Sequence, residues 1–276
     1  MSDDWQNDRT RRERAELIDA TAPNVARIAD FLQGGRDNFE ADRKAVRAMI
    51  AIAPITATLV PAARAFHRRM VRYLAAEAGI RQFVDIGAGL ATSGCTHELV
   101  QSIDPTCRIV YVDDDPMALT HLRALSKSTP EGGIDYLEGH LADPGTIMAG
   151  ARATLDFTRP IAVLLLSSST LGLIIDTRSA AAAVSALIAA VPSGSYIALY
   201  HQAVDLHPEL HIANRRWNQL SSKPATLRSK DEVASFLAGL ELIPPGLVPV
   251  CDWHPAPDDP HFDEVVPLYG VVGRKR

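Results

Sequence analysis

Phe83-Val84-Asp85-Ile86-Gly87-Ala88-Gly89-Leu90-Ala91-Thr92 reads as a short buried strand that runs directly into a backbone bend. Glycines at 87 and 89 allow a sharp turn and leave bare backbone for a ligand to lie against. Working outward, apolar runs recur at 82–86, 108–112, 134–137, 161–166 and 196–199, with helix-like segments between them at 92–102, 116–126, 144–151 and 178–191. Several of these strands are apolar almost throughout, as in a parallel sheet covered on both faces. Repeated βα units of this length predict an α/β, doubly wound sheet. The end departs from the rhythm. A helix is expected at 230–240, then strands at 246–251 and 268–275, joined by a Pro/Asp-rich loop that suits a hairpin, which makes the last strand antiparallel. Residues 1–80 read instead as helices, at 24–32, 40–52 and 61–78, with Gly34-Gly35 closing the first. The division expected is therefore a helical extension over 1–80 and a sheet domain over 81–276.

The bend and the next strand tip together predict a nucleoside site. Asp113, in Val112-Asp113-Asp114-Asp115-Pro116, follows Gly89 at close to the ~20-residue spacing of a carboxylate that grips a ribose diol. A dinucleotide fingerprint needs a third small residue where this chain has Thr92, and Asp85 beside the loop would repel a pyrophosphate. S-adenosylmethionine carries an ammonium and a sulfonium, so the acidic loop favours it as cofactor over NAD(P). Taken singly, Gly-x-Gly is also a tight turn, and Asp-Asp-Asp-Pro a helix start with favourable acids. After the third strand, Glu138-Gly139-His140-Leu141-Ala142-Asp143 offers His140 or Asp143, with the Leu141 amide, to an adenine ring; Asp143 equally suits a helix cap. Ser167, with Ser168 and Ser169, is expected at the methionine end, as a donor or as a polar exit from the sheet.

The 276 residues, 47% hydrophobic and 22% charged, suffice for a large buried core. A net charge of −5 lacks the basic footprint of a nucleic-acid binder, so no nucleic-acid partner is expected. Three separated cysteines give no zinc or disulfide framework. The polar start and the shortness of every apolar run predict no membrane segment and a cytoplasmic location.

Pro23-Asn24-Val25-Ala26-Arg27, with Asp30-Phe31-Leu32-Gln33-Gly34-Gly35-Arg36-Asp37-Asn38-Phe39-Glu40-Ala41-Asp42-Arg43, closely resembles the signature of an S-adenosylmethionine-dependent methyltransferase family of bacterial proteins long catalogued as a domain of unknown function, DUF574. The resemblance continues through Arg64, Phe66 and Arg69, the 79–87 stretch, Val110-Tyr111-Val112-Asp113, 192–196, His201 and 245–249 with Trp253, so it covers nearly the whole chain. It implies a Rossmann-like class I methyltransferase fold, a mostly parallel twisted sheet with one antiparallel strand, and a helical N-terminal extension over the cofactor mouth. Arg36, Asp37 and Asn38 would then point polar groups at the cofactor or acceptor, a surface ion pair being the alternative for Arg36 and Asp37. The chain departs from the family at Ala29 and Phe31, where tyrosines are usual, at His140, where an Asp is usual, and near Gly172, where a His is usual.

The function expected is methyl transfer to a small-molecule acceptor by in-line displacement at the sulfonium methyl, with a cofactor-binding regulator or degenerate enzyme as the first alternative and an NAD(P)-dependent oxidoreductase as the second. Positioning supplies much of the acceleration, and a general base is needed only for an acceptor that must lose a proton. His201 is the candidate base, or else a histidine bonded to nearby backbone. Asp205, His207 and His211 lack convincing metal-ligand spacing. The expected cofactor set is Arg36, Asp85, Gly87, Gly89, Asp113, Asp114, His140, Leu141 and Ser167. Phe31, Phe39, Trp217 and Trp253 are candidates to line the acceptor site or to fill the core.

Overall fold

The computed structural model describes residues 18–91, 94–166 and 170–276. One sheet runs in the order β3-β2-β1-β4-β5-β8-β6, built from β1 (Gln82–Ile86), β2 (Arg108–Asp113), β3 (Gly133–Glu138), β4 (Ala162–Leu165), β5 (Tyr196–Gln202), β6 (Leu240–Leu242) and β8 (Leu268–Lys275), with the short β7 (Val248–Pro249) also paired to β8. Strands β1 to β5 pair in parallel, and β8 runs antiparallel to β5, β6 and β7. The expected Rossmann-like arrangement with one antiparallel strand is the one seen. Register fixes which residues share a face: Val84 lies beside Val110 and Val163, while Phe83 lies beside Ile109 and Ala162. Because side chains alternate along a strand, these two rows enter opposite cores.

Helices cover both faces. α1 (Val25–Leu32), α2 (Glu40–Ile52) and α3 (Thr56–Arg72, prolonged by a π turn at Tyr73–Glu77) precede the sheet. α4 (Thr96–Ile103), α5 (Pro116–Leu125), α6 (Pro144–Ala151) and α7 (Thr177–Ala190) make the crossovers. α8 (Pro208–Leu220) and α9 (Lys230–Ser235) follow β5. Phe66, Met70 and Leu74 of α3 and its π turn join the core containing Phe83 and Ile109, whereas Ile147, Val184 and Val233 join the one containing Val84 and Val110.

Four boundaries differ from the sequence reading. The third helix starts at Thr56 rather than 61, because amides 56, 57 and 58 already bond the carbonyls of Ala53, Pro54 and Ile55, so Pro61 falls in the second turn. α4 starts at Thr96, four residues later than expected from position 92. α9 stops at Ser235, and Leu240, expected as its last residue, instead opens β6 by pairing with Lys275. The stretch expected as one strand at 246–251 pairs only at Val248–Pro249, so β6 and β7 divide one edge of β8 between them. α8 was not expected at all, and it closes the site.

The extension is held by two buried carboxylates. Asp42, fully buried, accepts from the Asn24 amide (2.8 Å), the Phe39 amide (2.8 Å) and Arg27 Nε (2.8 Å), joining the starts of α1 and α2. Asp30 Oδ2 accepts from the Asp37 amide and from Asn38 Nδ2, both at 2.8 Å, which folds the 33–39 loop back on α1. Gly35 is required there, because a Cβ would overlap the Asp30 carboxylate. Gly35→Ala is therefore expected to destabilise the protein by ~1–3 kcal/mol, the usual range for overpacking, read as a lowered thermal midpoint; an unchanged midpoint would show that the loop is free to move aside. No single helix among the described residues is long and apolar enough to cross a membrane.

Candidate active site

Strand order reverses between β1 and β4, the position at which a doubly wound sheet opens a crevice beyond its carboxyl edge. A cavity of about 210 Å³ lies there, lined by the β1 bend, by Tyr200, His201 and Gln202 of β5, and by residues of α1, α3 and α8. Gly87 and Gly89 line it in the left-handed region (φ 73° and 68°), which is what their sequence position demands. The bend is tied to β2 by the Gly87 amide on Val112 O (2.7 Å) and by the Gly89 amide on Asp113 Oδ2 (2.9 Å).

The three aspartates after β2 have three different partners. Asp113 is buried and accepts from the amides of Gly89 and Asp115, each at 2.9 Å, so it stands one hydrogen bond behind the cavity wall and does not line the cavity itself. Burial pushes its carboxyl up to about 6 against these two bonds. Asp114 pairs with Lys223 beyond α8 (2.7 Å). Asp115 caps α5 through the Met117 amide (2.8 Å) and accepts from Asn24 Nδ2 (2.8 Å), the side chain that caps α1. One strand tip thus holds the glycine bend, α8 and the extension together. A second tie runs through His121, whose Nδ1 accepts from the Ala91 amide (3.1 Å) while Nε2–H donates to Asp37 (3.1 Å).

Asp85 lines the cavity and is buried. The Thr96 hydroxyl donates to it (2.5 Å), so Thr96 Oγ1 must in turn accept from His67 Nε2–H (2.9 Å). Burial raises the Asp85 carboxyl to about 6, opposed by the Thr96 bond and the Arg64 charge. Burial likewise drives His67 down to about 3, with Arg64 adding to the shift. Arg64 and His67 line the same cavity, so an anionic and a cationic group face one another at this end.

His201 adopts the second of its two sequence readings, a histidine bonded to nearby backbone. It reaches the cavity, but both ring nitrogens are committed: Nδ1–H donates to Gln202 O (2.9 Å), and Nε2 accepts from Arg228 Nη1 (2.7 Å). Arg228, itself fully buried, also donates to the carbonyls of Leu171 and Ile174. Burial holds His201 at about 4. Its Nε2 lone pair cannot take a substrate proton without abandoning Arg228.

The other candidates scatter. Arg36 is exposed and lies off the cavity, as does Asp114. His140 is exposed and its Nδ1 accepts from the Ala142 amide (3.0 Å); Leu141 is a core side chain; Asp143 caps α6 through the Thr146 amide. Ser167 lies outside the described residues. Of the four aromatic candidates, Trp217 lines the cavity, Trp253 is core, and Phe31 and Phe39 lie under the guanidinium groups of Arg47 and Arg27. Sequence reasoning assigned no site role to His67 or Thr56, although 56, 59, 60, 63, 64 and 67 follow the i, i+3/i+4 spacing of one helix face, and all six line the cavity. Among the described residues no group of three His, Cys, Asp or Glu side chains is placed to hold a metal ion.

The sequence profile of the S-adenosyl methyltransferase family matches residues 11–276. The chain belongs to that family. A DUF574-family protein from Streptomyces avermitilis is 39% identical, superposes with a TM-score of 0.88, and is matched over 94% of this chain and 99% of its own. A methyltransferase described as putative, from Thermobifida fusca, is 32% identical with a TM-score of 0.83 over 93% and 96%. An S-adenosylmethionine-dependent methyltransferase from Anabaena variabilis shares the fold at 12% identity and a TM-score of 0.50 over 94% and 99%. Among curated proteins none matches.

The family's cofactor is S-adenosylmethionine, and the residues present fit it: a bare glycine bend, and a carboxylate facing a guanidinium at one end of the cavity, complementary to an amino-acid zwitterion. Much of the family signature, however, builds the extension. Arg27, Asn38 and Asp42 bond one another's loops and lie off the cavity, while Asp30 both ties its loop and lines the wall. Two of the four departures do reach the wall. Ala29 and Gly172 line the cavity, and a Cβ at Gly172 would meet only Thr226 O at 3.9 Å.

Proposed function

We propose that this chain transfers the methyl group of S-adenosylmethionine to a small-molecule acceptor held between α1, α3 and α8. The observation that carries this reading is the pairing, in one cavity, of the Gly87–Gly89 bend with the Asp85 carboxylate and the Arg64 guanidinium. The cofactor supplies an activated methyl on a sulfonium, which an acceptor lone pair displaces in line while the C–S electrons stay on sulfur. Asp85 is placed for the α-ammonium and Arg64 for the α-carboxylate. Asp113 holds the bend in position through Gly89 and has lone pairs left for a ribose hydroxyl. Residues 24–80 act as a cover that excludes water and limits access to small acceptors.

Among the described residues, neither histidine lining the cavity is a strong base. His67 and His201 are both held neutral by burial, so the site accelerates transfer by holding the reacting atoms near ~3–3.5 Å rather than by abstracting a proton. A second reading, cofactor binding without efficient transfer, draws on the same observation, that His201 is committed to Arg228. Calorimetry tests the first step: S-adenosylmethionine and S-adenosylhomocysteine are expected to bind and NAD not to, and stabilisation by NAD alone would overturn the assignment. Production of S-adenosylhomocysteine with an added acceptor separates transfer from mere binding.

A further inference from the structure

Asp30 is a buried carboxylate without a counter-ion. It is 5% exposed, lines the cavity, and forms no ion pair among the described residues. Its Oδ2 takes the Asp37 amide and Asn38 Nδ2, both at 2.8 Å, and no donor among the described residues reaches Oδ1. The arginines nearest in the chain are engaged elsewhere: Arg27 pairs with Asp42 and Arg43 with Glu40, while Arg36 is exposed and off the cavity. Asp30 also occupies the last turn of α1, the negative end of the helix dipole, where no basic residue offsets it. A buried carboxylate in that setting is stabilised by a cation brought from outside the chain.

Two ties hold this carboxylate beside the glycine bend. A Cβ at Gly89 would meet Ala26 Cβ at 3.7 Å. Asp30 shares a helix face with Ala26, one turn further along α1 or ~6 Å along its axis, and both line the cavity. From the other side, the Asp37 whose amide Asp30 accepts is bonded to His121, which in turn receives the Ala91 amide. Among the described residues the lining carries two carboxylates, Asp30 and Asp85, and one guanidinium, Arg64; burial keeps His67 and His201 neutral. Asp85 and Arg64 match the ammonium and carboxylate of the cofactor's amino-acid end. The cofactor's remaining charge is the sulfonium, and the remaining carboxylate is Asp30.

We infer that Asp30 is the counter-ion of the cofactor's sulfonium, so that the extension distinguishes the charged methyl donor from its neutral product. This rests on the cofactor-site reading above and adds a residue to it. Once the methyl has passed to the acceptor and the C–S electrons have stayed on sulfur, the thioether carries no charge and Asp30 again lacks a partner. The product is thereby held less tightly than it would be if it kept the donor's charge. Asp30 acts through its field, which needs no direct contact: a unit-charge pair even ~10 Å apart, at an effective dielectric of ~20, changes affinity by about 10-fold.

The test is calorimetric titration of the full chain and of Asp30→Asn with S-adenosylmethionine, with sinefungin, whose ammonium replaces the methylsulfonium, and with S-adenosylhomocysteine. Asp30→Asn keeps an oxygen for the Asp37 amide and Asn38 and removes the charge. It is expected to weaken S-adenosylmethionine and sinefungin by about 10-fold or more while changing S-adenosylhomocysteine by less than about 2-fold. A purely structural role in the 33–39 loop would move all three ligands together, and an equal loss for all three overturns the inference. No loss for any of them overturns it too, and leaves the carboxylate for a cationic acceptor. Where the variant does not fold, a crystal structure of the wild type with sinefungin decides: the carboxylate nearest the replacing ammonium is expected to be that of Asp30, and any other carboxylate nearer to it overturns the inference. Failure of the wild type to bind any of the three ligands overturns the cofactor-site reading beneath it.

Discussion

Arg27→Met is expected to destabilise the protein by ~3–5 kcal/mol, the range for stranding one partner of a buried ion pair. Arg27 is 4% exposed and Asp42 0%, so neither charge has water to fall back on. Without the guanidinium, Asp42 keeps the Asn24 and Phe39 amides but loses its counter-charge. The carbonyls of Asp19 and Ala22, which also receive Arg27, lose their donor as well. Asp42→Leu is expected to cost as much, because it orphans the two amides along with the arginine. The double variant Arg27→Met/Asp42→Leu removes both charges and should recover part of the loss, not all, since the amides remain unsatisfied. Urea midpoints at a shared slope measure this cycle. A single-variant loss below ~1 kcal/mol would show the pair behaving like a surface contact, and the extension would then owe its position to the Asn24–Asp115 and Asp37–His121 ties and to α2–α8 packing.

That result bears on what the sequence disclosed. Strands β1, β2, β4 and β5 were legible because their runs are mostly apolar, the mark of burial on both faces, whereas the edge strand β3 is only partly buried. α8 was missed because Pro208 reads as a break, although proline at the first helical position starts a helix rather than ending one. Its apolar face is also thin, resting on Leu210, Ala213 and Trp217 among charged neighbours. β6, three residues long, takes its identity from pairing with β8 and has no local signal.

Within the site, the glycine bend and Asp85 were readable from position alone. The division of labour among Asp113, Asp114 and Asp115 was not: three identical residues in succession point in three directions, set by Gly89, Lys223 and Asn24 from distant parts of the chain. His201 was likewise ambiguous, because nothing near it in sequence announces that Arg228, 27 positions on, will occupy its free nitrogen. The family signature was recognisable as a string, yet its physical content, a set of carboxylates that pin a loop and two helix starts, emerges only from the contacts.

Affinity for S-adenosylmethionine is expected to rise as pH is raised from about 4 to about 6 and then to level off, and Asp85→Asn is expected to remove most of that rise. The Asp85 carboxyl moves from 3.8 to about 6 on burial. A raised folded-state value means that the native protein holds the proton more tightly than the unfolded chain. Asp85 therefore contributes stability that is complete below about pH 4 and is lost as pH climbs through about 6, on the order of 3 kcal/mol at ~1.4 kcal/mol per pKa unit. A cation placed against Asp85 reverses the preference, since it favours the ionised form, so binding and deprotonation support each other. Asp85→Asn keeps an oxygen to accept from Thr96 but loses the charge. At pH 8 it is expected to bind the cofactor ~10–100-fold more weakly, the ~1.5–3 kcal/mol of a charge-assisted bond, while the ligand-free protein becomes more stable. Asp113, whose carboxyl also sits at about 6 and which holds the bend through the Gly89 amide, is a second source of pH dependence that remains in the variant. Calorimetry across about pH 4–8, with thermal midpoints of the ligand-free protein alongside, reads both signs at once. If Asp85→Asn lowered stability and left affinity untouched, the carboxylate would be a support for the bend and not a ligand for the ammonium.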